Sequence, residues 1–108
     1  MIELYHKTSF GISRLITRAY STSFSLGILG LDKKYRASIY NIYGFVRLAD
    51  EIVDSFHGFD KKTLLKRFWK ETRLSIKEGI SVNPVLHSFQ QTVNQYKIEW
   101  THCICSLL

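Results

Sequence analysis

Apolar residues recur along this chain at steps of three and four, the period of α-helices with one buried face, and the elements fall out of that rhythm. Ile12, Leu15, Ile16 and Ala19 form a first stripe; Thr8 or Ser9 is available as N-cap, and the helix is expected to run to about Tyr20. A Ser/Thr cluster with Gly27 and Gly30 interrupts the pattern, so residues 21–31 read as a short loop or broken turn. Asp32 is placed to cap a long second helix ending near Phe56 to Gly58. Asp60 caps a third, with Leu64, Leu65, Phe68, Trp69, Thr72 and Ile76 as its buried stripe and Gly79 at its C-cap. Asn83 and Pro84 open a fourth as N-cap and first helical residue, with Leu86, Phe89, Val93 and Tyr96 as its stripe. The pattern predicts an all-α unit of four helices plus a tail, with no repeat, linker or low-complexity tract.

The second helix departs from an ordinary surface helix. Arg36, Tyr40, Tyr43, Arg47, Asp50, Asp54 and His57 share one face, whereas Ile39, Ile42, Phe45, Val46, Ala49, Ile52 and Val53 fall mostly on the others. Two carboxylates one helical turn apart can share hard divalent cations, and Mg2+ is commonly held by one or two carboxylates, several waters and substrate phosphate oxygens. The spacing suits a diphosphate site. A solvated helix whose Arg47 pairs with Asp50 or Glu51 would read similarly, and Asp-x-x-x-Asp alone is a weak signal. The apolar flanks and tyrosines argue against the plain reading, because they leave no wide charged face.

Three blocks carry a resemblance: Ser21-Thr22-Ser23-Phe24-Ser25-Leu26-Gly27, then Arg36 through Arg47, then Asp50-Glu51-Ile52-Val53-Asp54. In order and spacing, from about Tyr20 to about Tyr96, the chain resembles the start of squalene/phytoene synthases, most closely bacterial phytoene synthases. Such enzymes join two isoprenoid diphosphates head to head in an all-α fold whose cavity is lined by two aspartate-rich helices. This chain supplies the first. After Tyr96 the only acidic residue is Glu99, and no aspartate pair follows Asp60. The resemblance therefore implies roughly the N-terminal third of a synthase domain across residues 1–108, with a divergent tail from residue 97, and a truncated, frameshifted or fragmentary chain with little or no activity alone.

The resemblance also implies roles. Asp50 and Asp54 would hold Mg2+ against the diphosphate of an allylic substrate, and Arg47 would grip diphosphate oxygens through its planar fork. Ser21 and Ser23 match positions lying against a diphosphate, although a loop or cap cluster explains them equally. Phe24, Tyr40 and Tyr43 match cavity positions where aromatic faces stabilise carbocations. Tyr43 is expected to be functional; Phe24 and Tyr40 serve as readily in a core. Glu51 is expected to be a supporting or surface charge, and His57 a capping partner. The implied reaction ionises one geranylgeranyl diphosphate, adds the double bond of a second, closes a cyclopropyl intermediate and rearranges it to phytoene. Substrate length stays open between farnesyl and geranylgeranyl diphosphates, and so does a squalene-type product.

Composition narrows the remaining classes. A chain of 108 residues with 45% hydrophobic and 14% aromatic content, one proline and six glycines can bury a modest core and is not a disordered sequence. Fifteen basic against nine acidic residues give +6, which attracts anions without distinguishing diphosphates, lipid headgroups or nucleic acid. Lysines and arginines are dispersed and no helix-turn-helix is recognisable, so nucleic acid is not an expected partner. No apolar run reaches transmembrane length and no secretory h-region opens the chain, so a cytoplasmic protein with at most peripheral membrane contact is expected. Cys103 and Cys105 rule out a disulfide framework; with His102 they make a poor tetrahedral zinc site. The competing class is a noncatalytic helical piece that self-associates or captures a partner through exposed Leu65, Phe68, Trp69, Phe89 and Trp100.

Overall fold

The computed structural model describes residues 1–100; His102, Cys103 and Cys105 lie outside them. Five helices and no strand are present among the described residues: α1 (Ile2–Tyr20), α2 (Thr22–Ile28), α3 (Lys33–Ser55), α4 (Lys61–Glu78) and α5 (Pro84–Tyr96). The fold is all-α as expected, with one helix more than the sequence pattern gave. None of these helices is long and apolar enough to cross a membrane.

Local chemistry fixes most of the boundaries. Asp32 accepts the Lys34 amide at 3.3 Å to start α3. Asp60 accepts the Thr63 amide at 3.2 Å and the Thr63 hydroxyl at 2.7 Å, which together hold its carboxyl below the ordinary pKa. Asn83 accepts the amides of Val85 and Leu86 ahead of Pro84, as its position predicts. Gly79 ends α4 at φ 73°, a left-handed conformation that glycine enters without the Cβ penalty. At the end of α3, it is the Lys61 ammonium that takes a late carbonyl, that of Val53 at 2.7 Å; His57 serves only as a 3.3 Å neighbour of the same ammonium.

The segment expected as a loop is instead largely α2. Ser21 alone, in extended backbone at φ −150°, separates the helices, and its hydroxyl oxygen accepts the Phe24 amide at 3.1 Å. Gly27 lies inside α2, where glycine costs only about 1 kcal/mol relative to alanine and breaks nothing. The start of α1 also differs: the helix begins at Ile2, and Thr8 and Ser9 lie within it.

α3 and α5 form the centre, each touching α1 and α4. Fully buried Phe45 of α3 stacks on Phe89 of α5 at 3.8 Å and on Phe68 of α4 at 5.3 Å, with Ala49, Ile52, Leu65, Val85, Leu86 and Val93 completing the core. Leu65, Phe68 and Phe89 are therefore buried, and Trp69 packs on Trp100 at 5.1 Å; these are not the exposed residues a self-associating surface would need. Tyr96, assigned to the α5 stripe, is exposed.

α1 buries a face only partly expected: Ile12 and Ile16 of the apolar stripe pack against the core. Leu15 and Ala19 point outward, while Ser9, Ser13 and Thr17, four residues apart, are fully buried. Small side chains let α1 approach α3 closely: a Cβ on Gly44 would stand 3.0 Å from Ser13 Cβ and Oγ. The buried hydroxyls are mostly satisfied, Ser13 Oγ by Ser88 Oγ at 2.7 Å and Thr17 Oγ1 by donating to the Ser13 carbonyl. At the far end of α1, His87 accepts the Ser81 amide at Nδ1, so its Nε2 carries the proton and donates it to His6 Nδ1 at 2.8 Å.

Candidate functional site

α2 and the polar stripe of α3 meet along one side of the bundle. After the single-residue break at Ser21, α2 packs on α1 and reaches α3 through the Phe24 ring, which stacks on Tyr43 with centroids 4.6 Å apart. One turn further along α3, the Arg47 guanidinium lies over the Tyr20 ring at 4.8 Å and donates to Glu51 at 2.9 Å. Asp50 and Asp54 continue the same face, Asp50 partly buried and Asp54 exposed. Ser21 stands at the head of α2 with its oxygen engaged in the cap.

The electrostatics are those of a held arginine beside two uncommitted carboxylates. About a quarter of the Arg47 side chain is exposed. Burial lowers its pKa, but the Glu51 hydrogen bond and the charges of Glu51 and Asp50 raise it by more, so the net shift is upward. Glu51 is held below the usual carboxylate range by Ser55 and then by Arg47. Arg47 Nε is buried and has no hydrogen-bond partner, leaving part of the fork unused. Neither Asp50 nor Asp54 makes an ion pair or a side-chain hydrogen bond among the described residues. Two free carboxylates one turn apart form a hard-oxygen donor set that fits Mg2+ completed by water and phosphate oxygens. No cluster of three or more potential metal ligands exists among the described residues, so a cation held here would depend on such outside ligands.

Of the residues singled out in the sequence, Tyr43, Arg47, Asp50 and Asp54 share this face of α3 and Phe24 is brought to it from α2, while the Ser21 side chain contacts only the head of its own helix. Ser23 is exposed on α2 and makes no side-chain hydrogen bond to them among the described residues. Tyr40 is buried elsewhere, its ring meeting Phe10 of α1 edge-on at 6.0 Å, with Arg14 at the same distance. One expected pairing is found, and one further participant emerges from the structure. Glu51 is the partner of Arg47, a pairing readable from the i,i+4 spacing. Tyr20 supplies the ring beneath the guanidinium; its only sequence signal was its place next to Ser21, and a tertiary contact across α1 and α3 carries no periodicity.

A search of curated proteins and a search of solved structures returned no match. The family model for squalene/phytoene synthase matches residues 17–104, a span that takes in Tyr20, all of α2 and α3, and each residue of this face. The protein therefore belongs to the squalene/phytoene synthase family.

Proposed function

We propose that the α2–α3 face is the half of a phytoene synthase-type site that receives the diphosphate of geranylgeranyl diphosphate, for the head-to-head condensation of two such molecules. The observation that carries this reading is the convergence on one face of a stacked aromatic pair, a held arginine with unused donors and two uncommitted carboxylates.

Asp50 and Asp54 are the residues that would hold Mg2+, which when bound neutralises charge on the departing diphosphate. Arg47 would turn part of its fork from Glu51 to the phosphate oxygens, a charge-assisted exchange in which the Tyr20 ring keeps the guanidinium in place. Phe24 and Tyr43 present aromatic faces beside that point, suited to an allylic cation and to shielding it from water. Ser21 sets the angle at which α2 brings Phe24 to Tyr43. A farnesyl substrate and squalene-type product would use the same half-site; comparing farnesyl with geranylgeranyl chains in the assay below decides between them.

The 108 residues hold one aspartate pair, and one wall of charge stabilisation does not enclose two ionisations, so the chain by itself is proposed to be inactive or nearly so. The test is a chimera in which residues 1–96 replace the corresponding segment of an active phytoene synthase. Phytoene from the chimera, its loss on Asp50→Asn, and none from the isolated chain are the expected results. A folded but inactive chimera would contradict the assignment of the site, and phytoene from the isolated chain would contradict the inactivity.

A second reading, self-association of a noncatalytic helical piece, is favoured by the exposure of Leu31 and Tyr35 beside α2. Light scattering across concentrations tests it; a monomer throughout would remove it.

A further inference from the structure

α2 has a second working face. Ser21, Phe24 and Ile28 occupy one side, whereas Thr22, Ser25, Leu26 and Leu29, spaced at helical steps, turn toward α1 and line a separate pocket. The opposite wall is Arg14 and Arg18, one turn apart on α1, and buried Tyr40 of α3 lies within. The pocket holds about 150 Å3, well below the ~300–1,000 Å3 of sites for drug-sized ligands, which restricts it to a compact group.

Its chemistry is one-sided. Two guanidinium groups face it and no acidic residue lines it. Among the described residues neither Arg14 nor Arg18 has an ion pair or a side-chain hydrogen bond; Arg14 has only the distant face of Tyr40. Ser25 Oγ is shielded from solvent without a hydrogen-bond partner, and an orphaned buried hydroxyl is a cost that a ligand would relieve. Thr22 and Tyr40 add two more hydroxyls. Paired arginine forks with several O–H donors match a tetrahedral oxyanion far better than a neutral ligand or a cation.

We propose that the α1–α2–α3 pocket binds a phosphate-type oxyanion through Arg14 and Arg18, independently of Asp50, Asp54 and any divalent metal. The anion can be a free phosphate or diphosphate, or the headgroup of an anionic lipid; Leu26 and Leu29, exposed at the same wall, would meet the hydrocarbon in the latter case.

The experiment uses the full 108-residue chain in EDTA, with inorganic diphosphate followed by calorimetry and, in a parallel arm, phosphatidylglycerol against phosphatidylcholine vesicles followed by sedimentation. The variants are Arg14→Gln/Arg18→Gln, the charge-matched control Lys62→Gln/Lys66→Gln on α4, and Asp50→Asn/Asp54→Asn; circular dichroism checks that helicity is retained. Diphosphate binding that weakens about tenfold or more in the arginine variant, and is unchanged in the other two, supports the pocket with a free anion as ligand. Vesicle binding alone, lost in the same variant only, supports it with a headgroup as ligand. Arg14→Lys/Arg18→Lys, which keeps charge and fold, should recover part of the affinity. Absence of binding in both arms, or equal losses in the arginine and lysine variants, overturns the proposal. Because the assay contains no metal, its failure leaves the reading of the aspartate face untouched.

Discussion

Gly44 offers the sharpest test of how packing sets the site. It lies in the middle of α3, where alanine would be favoured by about 0.8–1.0 kcal/mol on propensity alone. The added Cβ, however, would stand 3.0 Å from Ser13 Cβ and 3.1 Å from Ser13 Cα, against ~3.5–4.0 Å for a relaxed carbon contact. Ser13 cannot simply rotate away, since the close atoms include its own backbone and its Oγ is tied to Ser88 at 2.7 Å. Separating the helices costs ~1–3 kcal/mol for overpacking, plus ~1 kcal/mol if the Ser13–Ser88 bond is lost. The net expectation for Gly44→Ala is destabilisation by ~1–3 kcal/mol, measured by urea unfolding at 222 nm. Ser13→Gly in the same chain removes the two 3.0 Å contacts, leaving the 3.1 Å approach to Cα, and should show a coupling energy of ~1 kcal/mol in a double-mutant cycle. If Gly44→Ala stabilises by its full propensity gain and the coupling vanishes, α1 and α3 are not in the close contact described.

Other consequences follow from the same geometry. Phe45→Ala removes the ring stacked between Phe68 and Phe89 and should cost ~3–5 kcal/mol, lowering Tm by more than about 12 °C; a smaller shift would mean the three rings are not the core. Arg47→Lys keeps the charge but loses the planar fork, so affinity for a diphosphate analogue should fall about tenfold while Tm barely moves; unchanged affinity would remove Arg47 from the site. His87 has its pKa lowered from 6.5, by burial and then by His6. The unfolded chain thus takes up a proton near pH 6.5 that the folded one refuses, and stability should fall as pH drops through that value. Thermal unfolding between pH 8 and pH 5.5 checks this, and His87→Asn should flatten the profile.

The boundaries of α3, α4 and α5 were legible because their signals are local. Asp32, Asp60, Asn83, Pro84 and Gly79 act on backbone groups within a few residues of themselves. α2 was hidden by the opposite logic: Ser21 and Gly27 look like interruptions, yet one ends a helix only to start another and the other is tolerated inside it. On α1 the apolar period marks Ile12 and Ile16, which do pack against the core, but also Leu15 and Ala19, which are exposed; the buried Ser9, Ser13 and Thr17 carry no apolar signal, and the closeness of Gly44 to Ser13 shows why a small residue sits there. In the site, the stripe from Tyr43 to Asp54 and the Arg47–Glu51 option follow from helical spacing. The stack of Phe24 on Tyr43, the Tyr20 ring under Arg47 and the removal of Tyr40 toward Phe10 are tertiary facts that no spacing along the chain encodes.

We propose a metal-dependent diphosphate half-site at the α2–α3 face. It is tested most directly by titrating the 108-residue chain with Mg2+ in the presence of a nonhydrolysable geranylgeranyl diphosphate analogue, beside Asp50→Asn/Asp54→Asn. Binding should require Mg2+ and disappear in the double variant. Binding of equal strength with and without Mg2+, or undiminished in the variant, would contradict it.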